Sequence, residues 1–333
     1  MMDEQVTITV ADVGELKLIE HLRARIGGPP DDEVWAGDDT AVLTPQTPAL
    51  LLTTDLLVEG IDFDMAYCNG GDVGWKALAA SASDIAAMCG RPSHAVVALG
   101  LPAATPVAFV DQFLDGLLDA AARWEVPLVG GDISAAEEIS VTVSMVGRPV
   151  SRFAVLRSGA RPGDSICVTG VLGGAAAGLI ALRTGAVNNE EPGLRRLAER
   201  QLRPQARVAE AAILAEFEVS AMIDVSDGLA VDVEHLLDSS GVGCSIDVEA
   251  VPVDPDISYL EGANPFDLAV TGGEDFELLF TMRQDQVSGA ADALGTTGTP
   301  ITAIGTVTTS ERRIGNRSVE EWRERGWEHL RSP

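Results

Sequence analysis

The side chains able to do chemistry cluster in short acidic segments, each flanked by glycines or small hydroxyl residues. They read Gly37-Asp38-Asp39, Thr53-Thr54-Asp55, Ser83-Asp84, Gly130-Gly131-Asp132, Asp224-Val225-Ser226-Asp227 and Gly272-Gly273-Glu274-Asp275. Carboxylates and hydroxyls are the hard oxygen donors that Mg²⁺ prefers, and small neighbours let backbone approach a ligand closely. A chain that gathers so many carboxylates must neutralise them, and metal ions carrying a phosphate substrate would do so. Each segment also has a plainer use. Gly37-Asp38-Asp39 suits a turn. Thr53-Thr54-Asp55 and Ser226-Asp227 suit caps of a following element. Asp84 lies in an alanine-rich helical stretch beside Ile85, Ala86, Ala87 and Met88, either buried with a partner or exposed. Together the segments favour one shared site.

Hydrophobic periodicity places these segments on elements. It predicts a helix over 12–26, with Leu16, Ile19, Leu22 and Ile26 on one stripe, and a strand at about 48–54 ending on Thr53-Thr54-Asp55. An alanine-rich helix follows over 72–89 with Asp72 as its N-cap, then strands at 94–101 and 139–147 around an amphipathic helix at 106–123. A short strand, Val126 to Val129, delivers Gly130-Gly131-Asp132. Gly147-Arg148-Pro149 closes the pattern, so two domains are expected, residues 1–150 and 151–333. In the second, strands fit 164–169, 219–224, 244–248, 267–270, 277–281 and a pair around 301–308. Helices fit 174–183 and 204–217, and one opens at Asp227. The irregular alternation predicts two α/β (α+β) sandwiches with mixed sheets. The acidic segments that follow strands sit where ligands gather in α/β folds.

Composition narrows the function. At 333 residues the chain is long for one core, and 46% apolar content with no low-complexity tract is that of a globular protein. A net charge of −28 argues against nucleic acid, whose phosphates require clustered Lys and Arg. Cys68, Cys89, Cys167 and Cys244 are scattered, without a zinc-ribbon spacing or a disulfide framework. The long uncharged runs at 94–110 and 165–182 hold prolines or many glycines and read as soluble strand–turn–helix units, so no membrane is expected. An acidic amino terminus (Asp3, Glu4) without a signal segment makes the cytoplasm the expected compartment.

The usual nucleotide signatures are missing: no phosphate loop, no dinucleotide fingerprint, no protein-kinase set. If ATP binds, metal-bridged carboxylates must do the work of a lysine and a glycine nest. ATP plus a phosphorylated acceptor brings roughly six negative charges into one site, which this acidic chain cannot hold unaided.

The ordered set Gly-Asp-Asp, Thr53 to Gly60, Ser83 to Gly90, Gly130-Gly131-Asp132, Arg157-Ser158-Gly159-Ala160, Asp224 to Leu229 and Gly272 to Leu278 resembles the thiamine-monophosphate kinases, of the aminoimidazole-ribotide-synthetase-like ATP-binding superfamily. The resemblance runs from about residue 12 to Gly326-Trp327-Glu328-His329. It implies an N-terminal metal- and ATP-binding domain whose strands build a barrel across a homodimer, and a C-terminal α/β sandwich completing the site. It implies ATP-dependent conversion of thiamine monophosphate into thiamine diphosphate. Carried over by position, Asp39, Thr53, Thr54, Asp55, Asp84, Asp132, Asp224 and Asp227 look like ligands of several Mg²⁺ ions, with Asp55, Asp84 and Asp132 holding those that bridge both phosphates. Gly131, Asp132, Arg157 and Ser226 look like ATP contacts, and Glu274 and Trp327 like contacts to the thiamine moiety. Asp62 stands where many members carry histidine, and is expected on the same substrate.

A phosphate monoester is already largely ionised at neutral pH, so no catalytic base is required. Alignment and charge neutralisation of an in-line transfer would carry the reaction. Two rival readings remain: another ATP-using enzyme of the superfamily, of purine-pathway or selenophosphate type, and a non-catalytic Mg-nucleotide sensor.

Overall fold

The computed structural model describes residues 41–43 and 49–326. The expected helix at 12–26, the Gly37-Asp38-Asp39 segment and Trp327 lie outside the described residues. The first half builds a mixed sheet from β1 (Ala41–Leu43), β2 (Leu50–Val58), β3 (Gly90–Leu101), β4 (Leu128–Ala135) and β5 (Ser140–Pro149). Its order is β1-β2-β5-β3-β4, antiparallel except for the β3–β4 pair. Two helices, α1 (Gly70–Ala87) and α2 (Val107–Trp124), cover one face. There Leu51, Leu57, Val97, Val141, Val143 and Met145 pack against Leu78, Ile85, Phe113 and Leu117. Among the described residues no element covers the other face, where Leu52, Leu56 and Val96 are exposed.

The second half builds a seven-stranded sheet. Its strands are β6 (Ser165–Thr169), β7 (Val219–Val225), β8 (Gly243–Ile246), β9 (Glu277–Met282), β10 (Ile301–Thr308), β11 (Arg312–Ile314) and β12 (Arg317–Ser318). The order is β12-β11-β8-β10-β6-β9-β7, and only β8–β11 is parallel. Around it lie α3 (Gly174–Thr184), α4 (Pro192–Leu202), α5 (Val208–Leu214), α6 (Leu229–Ser240), α7 (Pro265–Thr271), α8 (Val287–Leu294) and α9 (Val319–Arg323). Both faces are buried. Leu229, Val233 and Leu236 of α6 cover Ile166, Val168 and Ile223, while Leu214 and Leu294 cover Cys167, Met222 and Phe280. Ala86, Ala87 and Cys89, at the end of α1, join this second cluster. Thus α1 packs on the first sheet and abuts the second. Among the described residues no helix is long and apolar enough to cross a membrane.

Two mixed sheets with helices match the expected class, and several local expectations are corrected. Residues 267–270 are not a strand but the interior of α7, capped by Asn264 with Pro265 in its first turn. A short apolar run cannot distinguish the two by periodicity. Asn69, not Asp72, is the N-cap of α1, and Asp72 closes its capping box at the third helical position. The helix expected over 204–217 spans only Val208–Leu214, and α4 precedes it, opened by Pro192. Thr53-Thr54-Asp55 and Gly130-Gly131-Asp132 lie inside strands rather than at their ends.

The α1–α2 contact is close because glycines face backbone. A Cβ on Gly74 would stand 2.1 Å from the Phe113 carbonyl oxygen, and one on Gly116 would stand 1.9 Å from that of Gly71. Helix propensity alone would favour Gly116→Ala by about 1 kcal/mol. The backbone clash opposes it, since overpacking of this kind costs about 1–3 kcal/mol. Gly116→Ala is therefore expected to lower the unfolding temperature; an unchanged or raised midpoint would show that α1 tolerates displacement.

Candidate active site

One turn of α1 gathers carboxylates from both sheets. Thr53 and Asp55 of β2 point to the helix-covered face, where Ser81 Oγ donates to Asp55 Oδ2 at 2.6 Å and Thr53 Oγ1 donates to Asp84. On the same turn Ser83 Oγ donates to Asp224, at the end of β7. Ser81, Ser83 and Asp224 are all buried. Buried carboxylates are costly without hydrogen-bond donors, and these hydroxyls supply them. The donors are oxygen throughout, as Mg²⁺ requires. Among the described residues, however, no three His, Cys, Asp or Glu side chains stand together as a ready metal-binding group.

Strand alternation separates the remaining expected ligands. Thr54 projects to the open face and shares a hydrogen bond with Ser144 at 2.9 Å. Asp132 pairs with Ala98, Ala98 with Thr142 and Thr142 with Leu56, which puts Asp132 on that open face too. Asp55 lies one row away, in register with Val143 and Val97, facing the helices. The same chain therefore does not bring Asp132 to Asp55, Asp84 and Asp224. Gly131 faces the helix side, and a Cβ there would stand 2.2 Å from the Val97 carbonyl oxygen, so tight strand packing already demands glycine.

Beside this seam lies a cleft of about 830 Å³, counting solvent at its mouth. Asp62, Ser226, Asp227 and Glu274 line it together, and Tyr67, Arg183 and Gln201 complete its polar wall. Glu274 holds a left-handed backbone (φ 68°) and donates its N–H to the Ser226 carbonyl at 2.8 Å. A Cβ on Gly273 would stand 2.4 Å from that same carbonyl, so this loop crossing requires glycine. The buried Lys76 of α1 pairs with Glu274 and donates to the Asp62 carbonyl at 3.0 Å, tying both loops to one helix. Asp62 Oδ2 accepts the Val58 N–H at 2.8 Å. Asp232 accepts the N–H groups of Asp227 and Gly228 at 3.2 and 3.0 Å, fixing the chain that presents Asp227.

Arg157 lies in the connection from β5 to β6, beside α6, where its carbonyl accepts from Ser240 Oγ at 3.0 Å. Burial, then the Arg157 charge, hold the His235 imidazole below its usual range, against the nearby Asp227 carboxylate. The sequence does not mark Gln201, Tyr67, Arg183 or Asp232 as residues of this site. Only Lys76 gave a signal, as one of two lysines in the chain.

Behind the cleft, Asp275 accepts the N–H groups of Gly173 and Ala175 at 2.6 and 3.1 Å, tying the Glu274 loop to the start of α3. Burial pushes its carboxyl from an ordinary 3.8 up to about 7, against the pull of those N–H donors. The folded state then retains this proton where the unfolded chain has lost it. The stability it contributes is complete at acid pH and is lost as pH rises from about 4 to 7. Asp275→Asn should flatten that decline in denaturant-unfolding free energy against pH. Identical slopes would place the charged form, not the acid, in the fold.

The AIR synthase related protein families match in two stretches, the N-terminal domain over residues 37–148 and the C-terminal domain over 161–315. A thiamine-monophosphate kinase of Aquifex aeolicus is 36% identical over 323 residues, covering 96% of this chain and 99% of the relative. The Escherichia coli K12 protein of that name is 34% identical over 328 residues, with the same coverage. A solved structure, "AaThiL complexed with AMPPCP and TMP", superposes with TM-score 0.83 at 32% identity, over 98% of this chain and all of that one. Hydrogenase maturation protein HypE, at 20% identity and TM-score 0.65, shares the fold. The two sheets are thus those of an AIR-synthase-related protein. Within that class the chain belongs to the thiamine-monophosphate kinase family, and it is an enzyme of the kinase type.

Proposed function

We infer that the protein transfers the γ-phosphoryl group of ATP directly, in line, onto the phosphate of thiamine monophosphate, giving thiamine diphosphate in the cytoplasm. The observation that carries this reading is the anchoring of Asp55, Asp84 and Asp224 by hydroxyl partners around one turn of α1, next to an acid-lined cleft. Residues 1–150 hold metal and ATP and form the dimer, and residues 151–333 complete the nucleotide and substrate site. Asp62, Asp227 and Glu274 give the cleft a negative wall that suits the cationic thiazolium ring. Arg157 steadies the polyphosphate with its planar fork, with Gly131 and Ser226 as backbone contacts.

Asp55, Asp84 and Asp224 fit Mg²⁺ by donor type, and Thr53 and Asp227 extend the set, whereas Thr54 and Asp132 face the other side of the sheet and enter on family resemblance alone. Bound Mg²⁺ would neutralise phosphate charge so that two anionic esters can approach. Ser81, Ser83 and Thr53 hold the carboxylates in place meanwhile and orient them. Asp39 and Trp327 enter on family resemblance alone.

The open sheet face supports a homodimer in which two such faces meet as a barrel. Asp132 would then lie at the seam between the copies. Leu56→Asp on that face is expected to shift the protein from dimer to monomer in analytical ultracentrifugation. A wild type that is already monomeric at micromolar concentration would remove the barrel.

The assay combines ATP, Mg²⁺ and thiamine monophosphate, with the product identified by mass. Thiamine diphosphate is the expected product. Nucleotide binding without turnover would instead indicate a sensor. Asp84→Asn should lower kcat by about a hundredfold or more with the circular-dichroism spectrum unchanged. Wild-type turnover in that variant would remove Asp84 from the site.

A further inference from the structure

Gln201, on the last turn of α4, has no role in the reading above. It is 3% exposed and lines the cleft as well as the small cavity behind Asp62 and Tyr67. Its Nε2 donates to Glu274 Oε2 at 2.6 Å. Its Oε1 is shielded from solvent and has no hydrogen-bond partner. The amide cannot simply be turned over, because Oε1 would then face the Glu274 carboxylate and the NH₂ group would be stranded. Lys76 secures Glu274 from the other side. The contact to Glu274, itself secured by Lys76, therefore fixes the amide of a cleft-lining residue with the acceptor capacity of its carbonyl oxygen unused. Leaving a buried acceptor in that state is costly, and a ligand carrying an N–H donor would recover the loss.

We propose that Gln201 is a specificity-determining residue that reads the exocyclic amine of the substrate's aminopyrimidine ring; this rests on the functional reading above. The substrate's own chemistry narrows the partner. The pyrimidine nitrogens accept, an ionised phosphate accepts, and the thiazolium carries no N–H. The ring amine is the one strong N–H donor available. It has two N–H bonds, enough for both Gln201 Oε1 and a free lone pair of Glu274. Lys76 and Glu274 act as positioning residues for the amide.

The test compares thiamine monophosphate with the analogue bearing hydrogen in place of the ring amine, in wild type and in Gln201→Met. Wild type should use the analogue with kcat/KM lower by about tenfold or more. In Gln201→Met the KM for thiamine monophosphate should rise, the KM for ATP should stay unchanged, and discrimination between the two compounds should shrink by about threefold or more. A smaller change in discrimination overturns the proposal, since Gln201 would then act on both compounds alike. Should the variant fail to fold, the wild-type arm decides: equal use of both compounds also overturns it. Failure of wild type to phosphorylate thiamine monophosphate at all is a separate result, and sinks the functional reading itself.

Discussion

The arrangement depends on burying one helix between two sheets close enough for its hydroxyls to reach carboxylates on both. Along α1, Ser81 reaches Asp55 on the first sheet and Ser83 reaches Asp224 on the second. Hydrogen bonds of this kind weaken steeply with distance and angle, so the helix cannot drift. Its alanines and glycines allow the approach. Gly70 and Gly74 let α2 lie against its backbone, and Ala86 and Ala87 fit beneath the second sheet. Larger residues would hold the acids apart.

Charge explains the next layer. The acid seam and the cleft wall gather negative groups, and the buried cation among them, Lys76, is committed to Glu274. A phosphate could not approach such a wall unaided, whereas a cationic ring could. The site therefore divides by chemistry. Carboxylates with hydroxyl partners suit metal-bound phosphate, and the carboxylate–amide pair at Glu274 and Gln201 suits a flat nitrogen heterocycle. Both parts hang on α1, which carries Asp84 and Lys76 two turns apart.

The first sheet serves two masters because its strands alternate. Residues facing the helices, such as Thr53 and Asp55, build the seam, while Thr54, Leu56 and Asp132 face away. A run such as Thr53-Thr54-Asp55 reads as one cluster in sequence, but strand geometry sends its middle residue to the opposite surface. That surface is half apolar, with Leu52, Leu56 and Val96 exposed beside Thr142 and Ser144.

The identity and order of the acidic segments already specified a two-sheet α/β class and a family, because those properties reside in residue type and spacing along the chain. Asp84 inside an alanine-rich helix was legible for the same reason, as was the entry of α3 after its glycines. The partners were not. Ser83 meets Asp224 across 141 residues and Gln201 meets Glu274 across 73, and nothing local shows which distant residue each one meets. The apolar run at 267–270 became a helix through Asn264 and Pro265 rather than through its own pattern. Which carboxylates share a site and which are parted by a sheet was decided by packing and register, since both depend on contacts formed only once the chain has closed on itself.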